Sequence, residues 1–193
     1  MTQNKGYLKS NRKSSGDEQY TPFYAVAPIV KYLKNSKYKT IWCPFDEEWS
    51  AYVQTFREEG FNVIYSSLSD GKDFFQYEPK EPYDIIISNP PFSKKDKILF
   101  RLDKLNKPFA LLLPLNSLQG NRRFKVFCKG VQLLSFDDRI GFHKNDYEKP
   151  VGSNCFASAY FCRKFLPNDL IIEHLNKYDR KLKENENDAQ KID

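Results

Sequence analysis

The sequence predicts an α/β domain in which a mostly parallel β-sheet carries helices on both faces and ends in an antiparallel pair of strands. Strand-like and helix-like segments alternate from residue 21 to about residue 130, which is typical of parallel sheets. The segment 83–88, YDIIIS, is apolar without alternation, as expected of a central strand buried on both faces. Two strand-like segments then follow with no helix between them, and these predict the antiparallel pair.

The first part of the alternating region contains two helices and two strands. Residues 21–34, TPFYAVAPIVKYLK, place apolar side chains at helical spacing after a proline. A short apolar strand is predicted in 40–45 and another in 62–67. Between them, DEEWSAYVQTFREEGF (46–61) predicts a helix that begins at an acidic cluster and closes with Gly60.

The later elements are predicted in the same way. After a loop at 70–82 and the central strand, an amphipathic helix is expected in 94–105, a buried strand in 108–115 and a basic helix in 117–130. The two final strands are expected in 131–136 and 154–165, joined by a long polar loop at 137–153.

The predicted domain organisation is one catalytic domain flanked by two tails. Residues 1–16 form a basic tail that carries +4 of the net charge of +6, residues 17–166 form the domain, and residues 167–193 form a helix (DLIIEHLNKY) and a charged tail. A chain of 193 residues is long enough for one substantial core. The moderate positive charge permits nucleic-acid binding without demonstrating it.

Several classes of protein are disfavoured by composition. The four cysteines are scattered without a CxxC pair, and the two histidines, His143 and His174, form no cluster, so no metal site is predicted and reduced thiols in the cytosol fit best. The polar N-terminus does not resemble a signal peptide, and no apolar run reaches the roughly 20 residues that span a bilayer. We therefore expect a soluble, cytoplasmic protein that does not act at a membrane.

The stretch 83–92, YDIIISNPPF, ends the central strand at an unusual corner. Pro90 and Pro91 remove two backbone donors and fix two φ angles, and a residue before proline is held extended. The Asn89 side-chain oxygen and the Pro90 carbonyl become two fixed acceptors, which suit a planar amino group such as that of adenine. With both N–H groups engaged, the nitrogen can pyramidalise and act as a nucleophile, while Phe92 stacks on the ring.

Polar residues also follow three other predicted strands, in PFD (44–46), SS (66–67) and PLNS (114–117). In open parallel sheets, ligands bind outside the carboxyl ends of the strands. These residues and the SNPPF corner are therefore expected to converge on one site at a single edge of the sheet.

With these motifs, the chain resembles the S-adenosylmethionine-dependent amino-methyltransferases, especially the adenine-N6 DNA methyltransferases, whose catalytic motif is [DNS]PP[YFW]. QYTP (19–22) resembles the segment beside the methionine end of the cofactor, and IWCPFD (41–46) stands in the place of the first nucleotide-binding loop. KDFF (72–75) resembles the acid-aromatic pair that receives the adenine of the cofactor, and RIGF (139–142) the late target-base segment. The resemblance covers most of the chain, from about residue 17 to residue 165.

The resemblance implies a Rossmann-like class I methyltransferase fold, S-adenosylmethionine as the cofactor without a metal, and DNA as the partner. The catalytic residues that it implies are Asn89, Pro90, Pro91 and Phe92. The cofactor-binding residues that it implies are Tyr20, Thr21, Pro22, Pro44, Phe45, Asp46, Ser66, Asp73, Phe74 and Asn89. The candidates for DNA contact are Lys94, Lys95, Arg122, Arg123 and Arg139, for each of which a solvated surface role is the alternative.

Two departures from the pattern of the family leave alternatives open. The loop CPFDEEWS has no glycine, so Asp46 or Glu47 replaces the usual backbone contact or the cofactor binds weakly; Asp46 also suits a helix cap. The acid that usually ends the second strand and pairs with ribose hydroxyls is absent, because that strand ends in Ser66 and Ser67.

The rival functions follow from these departures and from the small size of the domain. The same corner suits methylation of an RNA adenine or a protein glutamine amide. A catalytically silent binding module with this fold, or another nucleotide-binding enzyme that shares only the sheet, would also fit the sequence. Restriction-modification, phage and housekeeping settings are all compatible with it.

Overall fold

A computed structural model describes residues 19–143 and 156–177. Within these residues, seven strands form one sheet in the order β2-β1-β3-β4-β6-β5-β7. The strands are β1 Thr40–Cys43, β2 Asn62–Tyr65, β3 Ile85–Ser88, β4 Phe109–Pro114, β5 Gln132–Phe136, β6 Ser158–Arg163 and β7 Leu170–Glu173. The predicted basic tail at 1–16, most of the loop at 137–153 and the charged end of the chain lie outside the described residues.

The helices lie where the alternation of the sequence predicts them. They are α1 Phe23–Lys34, α2 Ala51–Glu58, α3 Lys95–Leu105 and α4 Asn121–Phe127. Short 3-10 turns at Phe92–Lys94 and Leu115–Leu118 follow β3 and β4. No helix in the described ranges combines the length and the apolar character needed to cross a membrane.

The side chains of β3 show why helices cover both faces of the sheet. All four residues of the strand are buried. Ile85 and Ile87 pack in one apolar cluster with residues of α1 and α2, whereas Ile86 packs in the other with residues of α3 and α4. Successive side chains of a strand point to opposite faces, so an unbroken apolar run requires a core on each side.

The strand directions confirm the predicted fold class. The strands β2, β1, β3 and β4 are parallel, and β6 runs antiparallel between β4 and β5. The result is a Rossmann-like class I methyltransferase arrangement with an antiparallel strand inserted near one edge. From β1 the chain passes to β2 on one side, and it then crosses to β3 on the other side, which makes the gap between β1 and β3 the topological switch point where ligands bind.

The prediction that a helix starts at the acids 46–48 is wrong. The helix α2 begins after Ser50, whose side chain accepts a hydrogen bond from the backbone N–H of Val53. Ser50 is therefore the N-cap, and the acids belong to the loop that precedes the helix. In the same way, the helix predicted from 117 begins only at Asn121, because Gly120 takes an extended conformation.

The predicted helix DLIIEHLNKY is also wrong, since Leu170–Glu173 form the strand β7, parallel to β5. Ile171 packs against the core while Leu170 and Ile172 are exposed. The open edge of β5 provides backbone partners for this short β-branched stretch, and such tertiary pairing outweighs a weak helical pattern.

Candidate active site

A cavity of about 540 Å³ opens at the carboxyl ends of β1, β2 and β3. Its volume falls within the range typical of small-molecule sites. The residues that line it are Gln19, Tyr20, Thr21, Phe45, Asp46, Glu47, Trp49, Ser50, Ala51, Tyr52, Ser67, Leu68, Ser69, Asn89, Pro90, Pro91, Phe92 and Lys94. Three of the four strand ends that were expected to converge, those of PFD, SS and SNPPF, therefore meet at the switch point of the sheet. The fourth, PLNS (114–117), contributes no residue to this lining.

The Asn89 side chain has a fixed orientation at this cavity. Its Nδ2 donates a hydrogen bond of 2.8 Å to the main-chain carbonyl of Gln19. Its Oδ1 is buried and has no hydrogen-bond partner among the described residues, and the same is true of Gln19 Oε1. A buried acceptor without a donor costs free energy, so these two oxygens are suited to the N–H groups of a ligand.

Phe92 stands beside Asn89 and is held by two other aromatic rings. Its ring centroid lies 6.2 Å from that of Phe142 and 5.7 Å from that of Phe156, both in edge-on arrangements. Phe142 is the last residue of the RIGF segment and is buried. The RIGF segment and the SNPPF corner are thus in direct contact, and Phe92 also lines the cavity.

Asp46 is a buried carboxyl group at the centre of the site. It is only 7% exposed and accepts a hydrogen bond from the Ser88 hydroxyl. Burial raises the pKa of Asp46 from 3.8 to about 6, and hydrogen bonds from Ser88 and Ser50 offset part of that effect. A cationic partner would lower this pKa and favour the ionised form of the carboxyl group.

The glycine-free loop CPFDEEWS is compatible with this site. Among the described residues, φ is positive at Asn106, Lys164, Gly60, Gly71 and Gly130, and none of these lies in residues 43–50. The loop therefore needs no glycine for its own conformation. Four side chains of this loop line the cavity, those of Phe45, Asp46, Glu47 and Trp49. In a glycine-rich loop, the backbone would border the cavity instead.

The segment before α1 closes another side of the cavity. The Tyr20 N–H donates to the His143 carbonyl at 3.0 Å, and the His143 N–H donates back to the Tyr20 carbonyl at 2.9 Å. The Tyr20 ring lies edge-on to the Trp49 ring with centroids 4.9 Å apart. Tyr20 and Thr21, both predicted as cofactor-binding, thus line the cavity together with Phe45, Asp46 and Asn89.

Other predicted cofactor residues lie outside the lining of this cavity. The Ser66 hydroxyl accepts from the Trp42 indole at 3.0 Å in the core, and the Asp73 carboxylate accepts from the Phe75 N–H at 3.0 Å. Phe74 is buried against the Trp42 ring, with centroids 5.5 Å apart. Pro22 is the N-cap residue of α1, and Pro44 is buried after β1. Local contacts of the fold therefore account for these five side chains.

Nine lining residues were not among the predicted site residues, although Glu47 was named as an alternative to Asp46 for the cofactor contact of its loop. They are Gln19, Glu47, Trp49, Ser50, Ala51, Tyr52, Ser67, Leu68 and Ser69. Gln19 begins the QYTP motif, and Glu47 and Trp49 lie in the loop CPFDEEWS, so motif position was a usable signal for those three. For Ser67, the paired serines that end the second strand drew attention to the right place, but the choice between them required the structure.

The basic residues predicted to contact DNA do not all lie together. Lys94, Lys95 and Arg122 line a shallow cleft next to the SNPPF corner, together with Lys97. Arg123 is instead held within the fold, with its guanidinium 2.5 Å from the Asp96 carboxylate and its Nε 2.7 Å from the Ser117 carbonyl.

Arg139 lines neither cleft, and its backbone N–H donates to the Asp138 carboxylate. No group of three or more metal-ligating His, Cys, Asp or Glu side chains is found in the part of the chain that the structure describes.

Comparisons with known proteins find similarity of structure alone. No family profile and no curated protein matches the chain. The methyltransferase subunit of a type I restriction-modification system from Streptococcus thermophilus is 14% identical with a TM-score of 0.48, and the match covers 88% of this chain and 50% of that one. A candidate methyltransferase from Thermoplasma acidophilum is 15% identical with a TM-score of 0.33, covering 80% of this chain and 68% of that one. The chain thus spans half the length of the first of these proteins, and its function has to be inferred from the site.

Proposed function

We propose that the protein transfers a methyl group from S-adenosylmethionine to the N6 amine of adenine in DNA. The observation that carries the proposal is the orientation of Asn89. Its Nδ2 is engaged by the Gln19 carbonyl, and its unpartnered Oδ1 is left for a donor at a cavity that Pro90 and Phe92 also line. An acceptor beside an aromatic ring is the pair of features that a planar aromatic amine requires.

The residues of the cavity fit S-adenosylmethionine. Its ammonium group carries three N–H donors, and the Gln19 Oε1 acceptor and the Asp46 carboxyl group lie on the wall where such a cation would be held. The Tyr20 and Trp49 rings supply apolar surface against the methionine chain. Ionisation of buried Asp46 by a bound cation offsets the free-energy cost of burying its charge.

When bound, S-adenosylmethionine would supply an electrophilic methyl group on a sulfonium; its transfer to the amine leaves S-adenosylhomocysteine and releases one proton of the amine to solvent. The protein contributes orientation and electrostatic stabilisation. Asn89 Oδ1 and the Pro90 carbonyl accept the two N–H groups of the target amine, which directs the nitrogen lone pair out of conjugation with the ring. Phe92 stacks on the ring, and Pro90 and Pro91 keep the acceptors from relaxing.

The choice of DNA is supported by the charges beside the corner. The cleft with Lys94, Lys95, Lys97 and Arg122 adjoins the active-site cavity, with Lys94 lining both. Phosphates of a nucleic-acid strand are the natural partners of such a row of cations. In a duplex, the target adenine would be flipped out of the helix to reach Asn89.

The test combines cofactor binding with methyl transfer. We expect calorimetry to detect S-adenosylmethionine binding, and we expect labelled methyl groups to appear on adenine-containing DNA. Asn89→Ala should lower transfer by about 100- to 1000-fold, as loss of one preorganised hydrogen bond does in other enzymes, while cofactor binding persists.

Parallel reactions with RNA and with a glutamine-containing protein distinguish the rival substrates. Transfer to RNA or protein alone would redirect the proposal to those substrates. No cofactor binding at high micromolar concentration would identify a catalytically silent module instead.

A further inference from the structure

Glu47 links the loop after β1 to the turn after β2. Its Oε1 accepts a hydrogen bond of 2.6 Å from the Ser69 hydroxyl, and its Oε2 accepts one of 3.0 Å from the Trp49 indole N–H. The Ser69 hydroxyl is in turn 2.6 Å from that of Ser67. These contacts fix the Glu47 carboxylate over the end of β2, where the sequence itself provides no acid.

The carboxylate keeps accepting capacity on the side of the cavity. Each carboxylate oxygen has two lone pairs, and the described contacts use one on each oxygen. Glu47 lines the cavity together with Ser67 and Ser69. Two neighbouring acceptors with a free lone pair each match the two hydroxyls of a vicinal diol.

The Glu47 carboxylate lies where nucleotide-binding sites on Rossmann-type sheets bind the ribose. In Rossmann-type sites, an acid about 20 residues beyond the first loop accepts ribose hydroxyls. Here the residue at the end of β2 is Ser66, whose hydroxyl is taken by Trp42 in the core. Glu47 reaches the same place from the first loop through its bond to Ser69, 22 residues further along the chain.

We propose that the Glu47 carboxylate accepts hydrogen bonds from both ribose hydroxyls of the cofactor and so replaces the acid that is absent from the end of the second strand. This inference rests on the proposed function. Leu68 supports it. The Leu68 side chain is 67% exposed and lines the same cavity. An exposed leucine between Ser67 and Ser69 gives an apolar surface beside the diol acceptor, where the adenine attached to that ribose would pack.

The test compares two ligands and three proteins by calorimetry. The ligands are S-adenosylhomocysteine and its analogue that lacks the ribose 2′-hydroxyl. The wild-type protein should bind the complete ligand about 10-fold or more tightly than the analogue, since a hydrogen bond to a charged group is lost. The affinities of Glu47→Ala for the two ligands should agree within about 2-fold. Its affinity for the complete ligand should be about 10- to 100-fold lower than that of the wild type.

Glu48→Ala is the matched control. The Glu48 carboxylate pairs with Arg57 at 3.0 Å, is 66% exposed and does not line the cavity, so this variant should discriminate between the ligands as the wild type does. Ser69→Ala, which keeps the Glu47 carboxylate but removes its bond to Ser69 together with the bond between Ser69 and Ser67, should reduce the discrimination in part. Thermal unfolding of each variant shows whether a loss of binding reflects a loss of folding.

The outcomes separate this inference from the proposed function. If the wild type binds the cofactor product and Glu47→Ala discriminates between the two ligands as strongly as the wild type, the role of Glu47 is overturned. The methyltransferase proposal would still stand. Absence of any binding by the folded wild-type protein would overturn both.

Discussion

Asn89 Nδ2 donates to the main-chain carbonyl of Gln19 at 2.8 Å, across 70 positions of the sequence. The bond determines which end of the Asn89 amide faces the cavity, because a carbonyl can engage only the N–H end. The segment that precedes α1 therefore orients the side chain that follows β3. Neither segment alone would present the amide oxygen as a fixed acceptor.

Asp46 should make stability depend on pH. Burial raises its pKa in the folded protein from 3.8 to about 6, so the folded state holds this proton more tightly than the unfolded state does. The stabilisation is complete below about pH 4 and is lost as the pH rises through about 6. Above that pH, Asp46→Asn should raise the free energy of unfolding by about 1–3 kcal/mol.

Urea unfolding of the wild type and Asp46→Asn at pH 4, 6 and 8 measures this effect. The difference between the two proteins should grow across that series. Glu48→Gln serves as the control and should follow the wild type. Parallel pH profiles for Asp46→Asn and the wild type would contradict the assignment of the shifted pKa to Asp46.

Phe92 should matter for the target base and not for the cofactor. Phe92→Leu keeps apolar contact with Phe142 and Phe156 but removes the flat face. Because stacking on a base contributes about 1–3 kcal/mol, kcat/KM for DNA should fall about 10- to 100-fold with cofactor affinity unchanged. Phe92→Tyr keeps the ring and should stay within a few-fold of the wild type. An equal loss in both variants would show that stacking is not what Phe92 provides.

Ser66 and Ser67 should have different roles although they are adjacent. Ser66→Ala leaves the fully buried Trp42 indole N–H without its acceptor, which should lower the free energy of unfolding by about 1–3 kcal/mol. Its cofactor affinity should match that of the wild type. Ser67→Ala should instead weaken cofactor binding, because Ser67 bonds the serine that holds Glu47. Unfolding and calorimetry on both variants decide the matter, and the reverse pattern would refute it.

Arg122 and Arg123 form a second adjacent pair with different predicted roles. Arg122 is exposed at the basic cleft, so Arg122→Gln should weaken DNA binding and lower the slope of log K against log salt by about 0.9. Arg123 is 13% exposed and bonded to Asp96, so Arg123→Gln should mainly destabilise the fold, by about 1–3 kcal/mol. A salt titration and a melting curve separate the two effects. An unchanged salt slope in Arg122→Gln would exclude that residue from the phosphate contacts.

Much of the fold could be predicted because its central strands are unbroken apolar runs. The isoleucine run 85–87 is buried on both faces, and such a run calls for helices on both sides of a parallel sheet. The strand β7 could not be predicted in the same way. Its four residues suit a helix or a strand, and the open edge of β5, which decides between them, is a tertiary feature.

The lining of the cavity could be predicted where it follows from a local motif and could not where it depends on contacts between distant side chains. Asn89 and Phe92 follow from the double proline. Glu47 over the end of β2 depends on its bond to Ser69, which no local pattern reveals. The placement of Asp73 likewise depends on a local turn, in which its carboxylate caps the Phe75 N–H.

The most direct test of the central claim is the chemical analysis of DNA from cells that express the protein. The protein and its Asn89→Ala variant would be expressed in a bacterial host without adenine methyltransferases of its own, and the DNA would be digested to nucleosides for mass spectrometry. We predict N6-methyladenine in DNA from cells with the wild-type protein, and about 100-fold less or none with Asn89→Ala. N6-methyladenine at equal levels with both proteins, or its absence with a folded, cofactor-binding wild type, would contradict the claim that Asn89 presents a DNA adenine for methylation.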